Sequence, residues 1–269
     1  MTNLSPAMRH THENMLIRPA QRSDLSPAAK VCAKAFFDTE LFGEVIHPYR
    51  HQYPDDMHLY WLKNFRRGLN RKDNYILVAT ASEPGESQPR IVGVAQWIRR
   101  RAQPSSQDQQ SSTSPSSKQN EAEEEDELPP NRAADPAKLD VLQRVGPFVD
   151  HKWSGTVKPL ASSSSSNQLK EALSLADKRC IGERAETWYL GLLAIHPDYQ
   201  GHGIGKQFVA WGFERARADT VCVSVISALG KDGFYRNCGF DVDVGYATEG
   251  EGNPLSGVPG GLIMFRDRV

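Results

Sequence analysis

The segment that most restricts the fold is the run Thr187–Ile195 (TWYLGLLAI), which is almost wholly apolar. Such a run is typical of a strand that is buried on both faces of a sheet. A glycine-rich loop, a helical pattern that reaches about Ala218 and the β-branched run Val221–Ile226 follow it. This order of strand, loop, helix and strand predicts a parallel pair with a right-handed crossover. The chain is therefore expected to fold as an α/β domain.

The residues before this unit predict a strand, two helices and two further strands. Met15–Arg18 begins a short strand, and the sequence DLSP at 24–27 opens a helix. A second helix is expected over about 55–69. The runs Tyr75–Ala79 and Ile91–Ile98 then form an antiparallel hairpin.

The residues after the parallel pair predict a short helix and two more strands. The helix is expected at Lys231–Cys238, and the strands at Phe240–Tyr246 and Gly261–Phe265. Gly191 interrupts the long apolar run, and a glycine inside a strand often marks a bulge or a close approach of backbone. We therefore expect an irregularity in that strand.

The composition changes sharply after Arg101. Ser, Gln, Glu and Pro dominate residues 102–136, which include the acidic run Glu121–Glu127. Such a segment cannot bury enough apolar surface to offset its ordering entropy. We interpret 102–136 as a disordered low-complexity insertion inside one domain of residues 15–269, with a flexible N-terminus at 1–14.

Two helices are expected between the insertion and the long apolar run. Leu139, Leu142 and Val145 share a helical face, and the sequence Gly146-Pro147 is predicted to end that helix. Leu169–Ala176 forms the second apolar stripe.

The overall composition argues against several classes of partner. Lys and Arg number 32 against 33 Asp and Glu, which leaves a formal net charge of −1. Nothing global therefore favours nucleic acid or a membrane surface. No apolar run reaches the ~18 residues of a membrane span, and residues 1–14 lack the apolar region of a signal peptide. The four cysteines show no CxxC spacing, so disulfides and metal sites are not expected. A cytoplasmic protein is the expectation, with the nucleus left open.

The loop Gln200–Gly205 (QGHGIG) carries three alternating glycines directly before a helix. Glycines let backbone approach a ligand, and N–H groups at a helix start favour an anion, commonly phosphate. The dinucleotide spacing G-x-G-x-x-G fails because positions 206 and 208 are Lys and Phe. The P-loop pattern fails because positions 200 and 207 are Gln. The loop alone predicts either a phosphate site or a helix start that uses glycine for tight packing.

Three sequence blocks resemble one known family. QGHGIG at 200–205 is similar to the Q/R-x-x-G-x-G/A signature of the GNAT acetyltransferase superfamily. LLAIHPDY at 192–199 resembles the strand that leads into that signature, and GFYRNCGF at 233–240 resembles its x-F-Y-x-x-x-G-F ending. The resemblance covers about Thr187–Phe240, whereas over 15–98 only the order of elements agrees. The long insertion is absent from the minimal GNAT domain. It resembles the low-complexity insertions that are common in fungal proteins.

The resemblance implies the GNAT fold, a mixed sheet of about six or seven strands with flanking helices. The fourth and fifth strands would splay apart, and acetyl-CoA would lie between them as a co-substrate without a metal. Backbone groups of Leu193 and Ile195 would pair with the pantetheine arm, and the small Ala194 would leave room beside it. The pyrophosphate would be held by the loop and the first turn of the helix, namely Gln200, Gly201, His202, Gly203, Ile204, Gly205 and Lys206.

The resemblance also implies catalytic residues. Tyr235 matches the family's usual general acid, since a phenol of pKa ~10 can return a proton to the CoA thiolate. The alternative is that Tyr235 only packs its ring at the end of a helix. Glu186 is a candidate base that would act through water, and Glu183 and His196 are further candidates. A chain of waters could also replace a dedicated base.

The implied activity is an N-acetyltransferase that moves acetyl from acetyl-CoA to a primary amine by direct transfer in a ternary complex. A small-molecule acceptor and a monomer or homodimer are expected. The alternatives are an inactive CoA-binding or interaction module, an acyltransferase for longer acyl-CoA, and a protein acceptor. The acceptor pocket would involve Phe37–Tyr53 and Thr248–Gly260. The aromatic side chains of the first segment suit either a hydrophobic amine or, as we prefer, the core of a helical cap.

Overall fold

Seven strands form one mixed sheet in the computed structural model, which describes residues 15–82, 88–101, 128–154, 184 and 186–267. The spatial order is β1-β2-β3-β4-β5-β7-β6. Only β4 and β5 are parallel, and the other neighbouring pairs are antiparallel. The expected mixed sheet is confirmed. The strands are β1 Met15–Pro19, β2 Asn74–Ala81, β3 Arg90–Arg100, β4 Thr187–Ile195, β5 Cys222–Ser227, β6 Val242–Tyr246 and β7 Leu262–Arg266.

Helices cover both faces of the sheet. One face carries α1 and α2, and the other carries α4. Side chains of β2 alternate accordingly: Ile76 and Val78 pack with α1 and α2, whereas Leu77 and Ala79 pack with α4. No helix in these ranges has the length and apolar character that crossing a bilayer requires. The helices are α1 Leu25–Ala35, a π-helix at Glu40–Ile46, α2 His58–Gly68, α3 Val141–Ser154, α4 Ile204–Asp219 and α5 Asp232–Cys238.

Helix α3 continues through Pro147, so the prediction that Gly146-Pro147 ends it is wrong. Its buried face is Val141, Val145 and Val149, which packs in one cluster with the apolar side chains of β7. This stripe repeats every four residues and runs past the proline, so its burial outweighs the ~3 kcal/mol that an internal proline costs. Leu139 and Leu142, predicted to lie on the inner face, are both 42% exposed.

Strands β4 and β5 pair over only part of their length. Their register runs from Thr187 opposite Cys222 to Leu190 opposite Val225 and then stops. At the same point β4 bulges against β3, because Gln96 lies opposite Leu192 while Trp97 lies opposite Leu190. Gly191 is the extra residue, as the sequence predicted. The expected splay between the fourth and fifth strands is therefore confirmed, and it begins at this bulge.

The end of the predicted insertion is part of the packed structure. The Tyr49 N–H donates to Ala133 O at 3.1 Å, and the Asp135 N–H donates to Ile46 O at 2.9 Å. Arg132 forms an ion pair with Asp56 at 2.6 Å. The prediction of disorder is thus wrong for residues 128–136, because these bonds tie them to the chain around the π-helix. Residues 1–14 and 102–127 and the predicted helix at 169–176 lie outside the described residues.

The crossover helix α4 packs closely on β3 because it carries a glycine at the contact. A Cβ on Gly212 would lie 2.2 Å from Cζ2 of Trp97. Trp97 is fully buried, and its Nε1–H donates to Phe208 O at 3.0 Å. The indole ring therefore has no room to move aside.

Gly212→Ala should lower the free energy of unfolding by about 1–3 kcal/mol, because overpacking a core outweighs the ~1 kcal/mol gain in helix propensity. The matched control is Gly233→Ala in α5, where a Cβ would meet no atom within 4 Å. That variant should be neutral or slightly stabilising. Urea denaturation measures both, and equal effects at the two positions would contradict the close packing of Trp97 on α4.

Candidate functional site

A cavity of about 540 Å³ lies where β4 and β5 diverge. The second half of β4 forms its floor, and the glycine loop with the start of α4 closes one end. The end of β5 and α5 form one wall, and the end of α1 with the π-helix forms the other. Residues from these elements line it: Ala35, Phe36, Thr39, Phe42, Leu190, Gly191, Leu192, Leu193, Ala194, Ile195, Tyr199, Gln200, Gly201, Gly203, Ile204, Gly205, Lys206, Ile226, Ala228, Lys231, Phe234 and Tyr235.

The backbone of β4 presents polar groups to this cavity. Beyond the strand the His196 N–H donates to Val92 O at 2.8 Å. Hydrogen-bonded residues alternate along an antiparallel ladder. The backbone N–H and C=O of Ala194 therefore also point to β3, whereas those of Leu193 and Ile195 point away from it. The Gln200 side chain supports this orientation, because its Nε2 donates to Ile195 O at 3.2 Å from the side of the loop. The cavity thus contains a strand edge, on which Ile195 O already accepts one hydrogen bond from the loop.

The glycines of the loop have two different roles. Gly201 and Gly203 have φ of +80° and +79°, and a Cβ on either would meet no protein atom within 4 Å. They therefore allow the left-handed turn into α4 and leave the space beside it open. A Cβ on Gly205 would instead lie 3.0 Å from Phe234 Cζ. Gly205 thus lets α4 and α5 pack closely. This is the tight packing that the sequence offered as the alternative to a phosphate site.

The geometry and the charges at the start of α4 favour an anion. Gly203 is the N-cap residue, and its carbonyl accepts from the Gln207 N–H at 3.2 Å. The preceding N–H groups of the first turn have no helical partner and point along the positive end of the helix dipole. Lys206 and Lys231 line the same cavity, and the described lining contains no Asp or Glu. This environment favours a ligand with several negative charges.

Tyr235 lies on α5 at the wall of the cavity and is 8% exposed. Its ring packs edge-on against Phe240 at 5.7 Å, so it serves the core and the cavity together. Burial raises the pKa of its phenol well above the usual range, and nearby Tyr189 and Cys238 add to the effect. The phenol is therefore fully protonated at neutral pH and can act as a proton donor.

Glu186 lies away from the cavity. Its carboxylate pairs with the buried Arg99 guanidinium at 2.5 Å, at the end of β4 where β4 and β5 are still joined. Arg99 also pairs with Asp219 at 2.9 Å. The geometry thus gives Glu186 a place in an ion-pair network and does not support its expected role as a base. Glu183 lies outside the described residues. His202 belongs to the loop but does not line the cavity.

The structure adds lining residues that the sequence reasoning missed. Lys231 directly precedes α5, and a basic residue at a helix start was the available signal for an anion on that side. Phe36 follows the predicted first helix but was not predicted to line the site. Thr39 and Phe42 lie in a predicted acceptor segment, although the sequence did not predict the π-helix there. Of the two predicted acceptor segments, Phe37–Tyr53 contributes Thr39 and Phe42, and Thr248–Gly260 contributes none.

Most aromatic residues around the π-helix form the core of a helical cap, which was the preferred interpretation of this segment. His47 is fully buried and stacks on Trp61 at 5.6 Å, and Tyr60 lies edge-on to both rings. Burial lowers the pKa of His47. Phe42 belongs to the same cluster but also reaches the cavity. The cap and the cavity wall are therefore continuous.

Comparisons with known proteins agree with this geometry. Residues 174–242 match the family model described as the acetyltransferase (GNAT) domain. Among curated protein sequences none matches. A histone acetyltransferase HPA2 and related acetyltransferase from Corynebacterium glutamicum superposes with a TM-score of 0.50 at 16% identity, over 95% of this chain and 97% of that one. The chain therefore has the GNAT fold.

Two ligand complexes also match, at lower similarity. A GNAT family acetyltransferase from Brucella melitensis, in complex with acetyl-CoA, has a TM-score of 0.37 at 14% identity over 86% of this chain and 85% of that one. The PaiA N-acetyltransferase from Thermoplasma acidophilum, in complex with coenzyme A, has a TM-score of 0.41 at 12% identity over 94% and 98%. In the described ranges of the present chain, no group of three or more His, Cys, Asp or Glu is placed to hold a metal ion.

The protonation state of His196 reports on the buried turn between β4 and the loop. It is buried, and its Nδ1 accepts from the Asp198 N–H at 3.3 Å. Burial lowers its pKa, and Lys34 and Arg90 act in the same direction, against the opposing effect of Asp198. We therefore expect His196 to be neutral, with its proton on Nε2.

A ¹⁵N NMR titration should show His196 still neutral below the ordinary histidine pKa of ~6.5. Between that value and the lower folded pKa, the unfolded chain binds a proton that the folded chain does not. Stability should therefore decrease as the pH falls through this window. The same histidine in urea is the control, and a folded pKa at or above the urea value would contradict the assignment.

Proposed function

We propose that this chain is an N-acetyltransferase that moves an acetyl group from acetyl-CoA to a primary amine of a small molecule, by direct transfer in a ternary complex. The observation that carries the proposal is the open edge of β4, which leads into a glycine loop at the start of α4. This arrangement offers hydrogen bonds to an extended amide-containing chain and then an anion site, in the order in which pantetheine and pyrophosphate follow one another in CoA.

The residues of the cavity fit acetyl-CoA by three independent features. Backbone groups of Leu193 and Ile195 would pair with the pantetheine amides as an added strand does. The N–H groups at the start of α4 would hold the pyrophosphate, beside Gly201 and Gly203, where space is open. Lys206 and Lys231 supply positive charge, and the described lining carries no opposing carboxylate. Acetyl-CoA would supply the activated thioester.

The transfer requires one C–N bond to form and one C–S bond to break. An N–H on the cavity side of β4 is suited to stabilise negative charge on the thioester oxygen during attack. Tyr235 would donate its phenolic proton to the departing thiolate sulfur and regain a proton from water. Its place in the cavity wall supports this role.

The attacking amine must lose a proton, and the cavity can assist without a dedicated base. The apolar lining of the cavity disfavours an ammonium ion, so it lowers the pKa of a bound amine. A larger fraction of the amine is then neutral and nucleophilic, and water takes the proton. The rate should therefore rise with pH across the lowered pKa of the bound amine.

Gly203→Ala should weaken CoA binding by about tenfold or more, because the side chain enters the open space beside the loop and strains a left-handed residue. The matched control is Gly252→Ala, since Gly252 has φ +75° and open space around it but does not line the cavity. Both variants should lose ~1–2 kcal/mol of stability. Calorimetric titration with CoA distinguishes them, and equal affinity for CoA would remove the loop from the site.

Tyr235→Phe should lower turnover by ~10²–10⁴ while CoA affinity stays the same, because only the proton donor is lost. Tyr189→Phe is the control, as it removes a neighbouring phenol that does not line the cavity. Thiol release from acetyl-CoA measures the rate. Unchanged turnover in Tyr235→Phe would exclude the phenol from the mechanism. If the unmodified protein bound CoA but showed no turnover, the result would favour a CoA-binding module.

A further inference from the structure

One wall of the cavity is formed by residues that lie outside the predicted cofactor site. It consists of Ala35, Phe36, Thr39 and Phe42, which come from the end of α1 and from the π-helix. Three of these side chains are apolar, and the fourth is a hydroxyl. An acceptor that reaches the thioester from this side must therefore pass an aromatic surface.

This aromatic wall is held in place by the core of the cap. The rings of Phe36 and Phe42 lie 4.9 Å apart. Both contact Trp61, with Phe36 stacked on it at 5.6 Å and Phe42 tilted at 5.4 Å. Trp61 is 2% exposed, so the two phenylalanines rest on a buried support. A preformed aromatic surface binds a flat apolar group with little loss of side-chain entropy.

The charged residues that line the cavity do not suit an acceptor that carries several positive charges. Polyamines, aminosugars and lysine-rich peptides carry additional ammonium groups, and sites that bind them need carboxylates nearby. The described lining contains none, and its charged members are Lys206 and Lys231. Each further positive charge on the acceptor would therefore lose water without gaining a carboxylate partner.

Thr39 offers one polar contact within the apolar wall. Its hydroxyl donates to Phe36 O at 2.9 Å, which leaves the lone pairs of Oγ1 able to accept. A primary amine retains N–H groups that can donate to such an oxygen. Thr39 is therefore suited to orient the nitrogen of an acceptor whose body lies against Phe36 and Phe42.

We propose that the acceptor is a primary amine with a single nitrogen and an uncharged aromatic body, which packs on Phe36 and Phe42 and donates an N–H to Thr39. This inference rests on the proposed acetyl transfer and specifies its substrate class. Neighbouring aromatic rings stabilise one another beyond what their buried area contributes. Selection between amines therefore comes from the body of the acceptor and from its net charge.

The test compares amines in a thiol-release assay at saturating acetyl-CoA. The probes are 2-phenylethylamine, ethylamine, spermidine and a lysine-containing peptide. We expect kcat/KM for 2-phenylethylamine to exceed the value for each of the other three by about tenfold or more, since burial of an aromatic ring favours binding. A higher kcat/KM for spermidine or the peptide would overturn this inference and uphold acetyl transfer. No turnover with any amine would instead overturn the proposed function.

Variants of Phe42 and Phe37 test whether the preference for an aromatic amine comes from the aromatic wall. Phe42→Leu keeps an apolar side chain but removes the ring, and it should lower kcat/KM for 2-phenylethylamine about five- to tenfold while changing the value for ethylamine less than about twofold. Phe37→Ala is the control, because Phe37 lies beside the wall and packs on His51 without lining the cavity. Equal losses for both amines in Phe42→Leu would overturn the proposed contact.

Thr39→Val and Thr39→Ser separate orientation from packing. Valine keeps the shape without the hydroxyl and should raise KM for 2-phenylethylamine about fivefold or more, as the loss of one hydrogen bond predicts. Serine keeps the hydroxyl and should restore KM. Equal KM values in the unmodified protein and Thr39→Val would overturn the contact between Thr39 and the amine.

Discussion

The divergence of β4 from β5 is the constraint on which the site depends. The two strands are parallel neighbours up to Leu190 and Val225, and beyond that point β4 pairs with β3 while its other edge faces the cavity. Backbone N–H and C=O groups at such an edge require partners from water or from a ligand. The fold thus creates a strip of hydrogen-bonding groups that a second extended chain can complete.

The closed end of the splay is held by buried polar contacts. The Thr187 hydroxyl lies 3.0 Å from Cys222 O and 3.2 Å from the Ser224 hydroxyl, so it joins β4 directly to β5. Next to it Arg99 bridges Glu186 and Asp219, and the Trp188 Nε1–H donates to Asp219 at 2.9 Å. These contacts connect β3, β4 and the end of α4. They place Glu186, which directly precedes the fourth strand, in an ion-pair network outside the lining of the cavity.

The sequence predicted the centre of the site because its signals are local. The apolar run of β4, the glycines before α4 and the β-branched run of β5 are each typical of one element, and their order determines a parallel crossover. Other features depend on contacts that no local pattern encodes. The valine stripe of α3 continues through Pro147 because β7 lies against it, and residues 128–136 are ordered by bonds to the chain near the π-helix. Arg99 and Glu186 are far apart in the chain, so their ion pair could not be predicted either.

A crystal structure of the protein with bound CoA would test the proposed site most directly. We expect pantetheine amides within hydrogen-bond distance of the Leu193 and Ile195 backbone, and pyrophosphate oxygens at the N–H groups that begin α4. The sulfur should then lie within reach of the Tyr235 hydroxyl. Coenzyme A bound away from the splay, or bound there with the β4 edge unused, would contradict the proposed role of that edge.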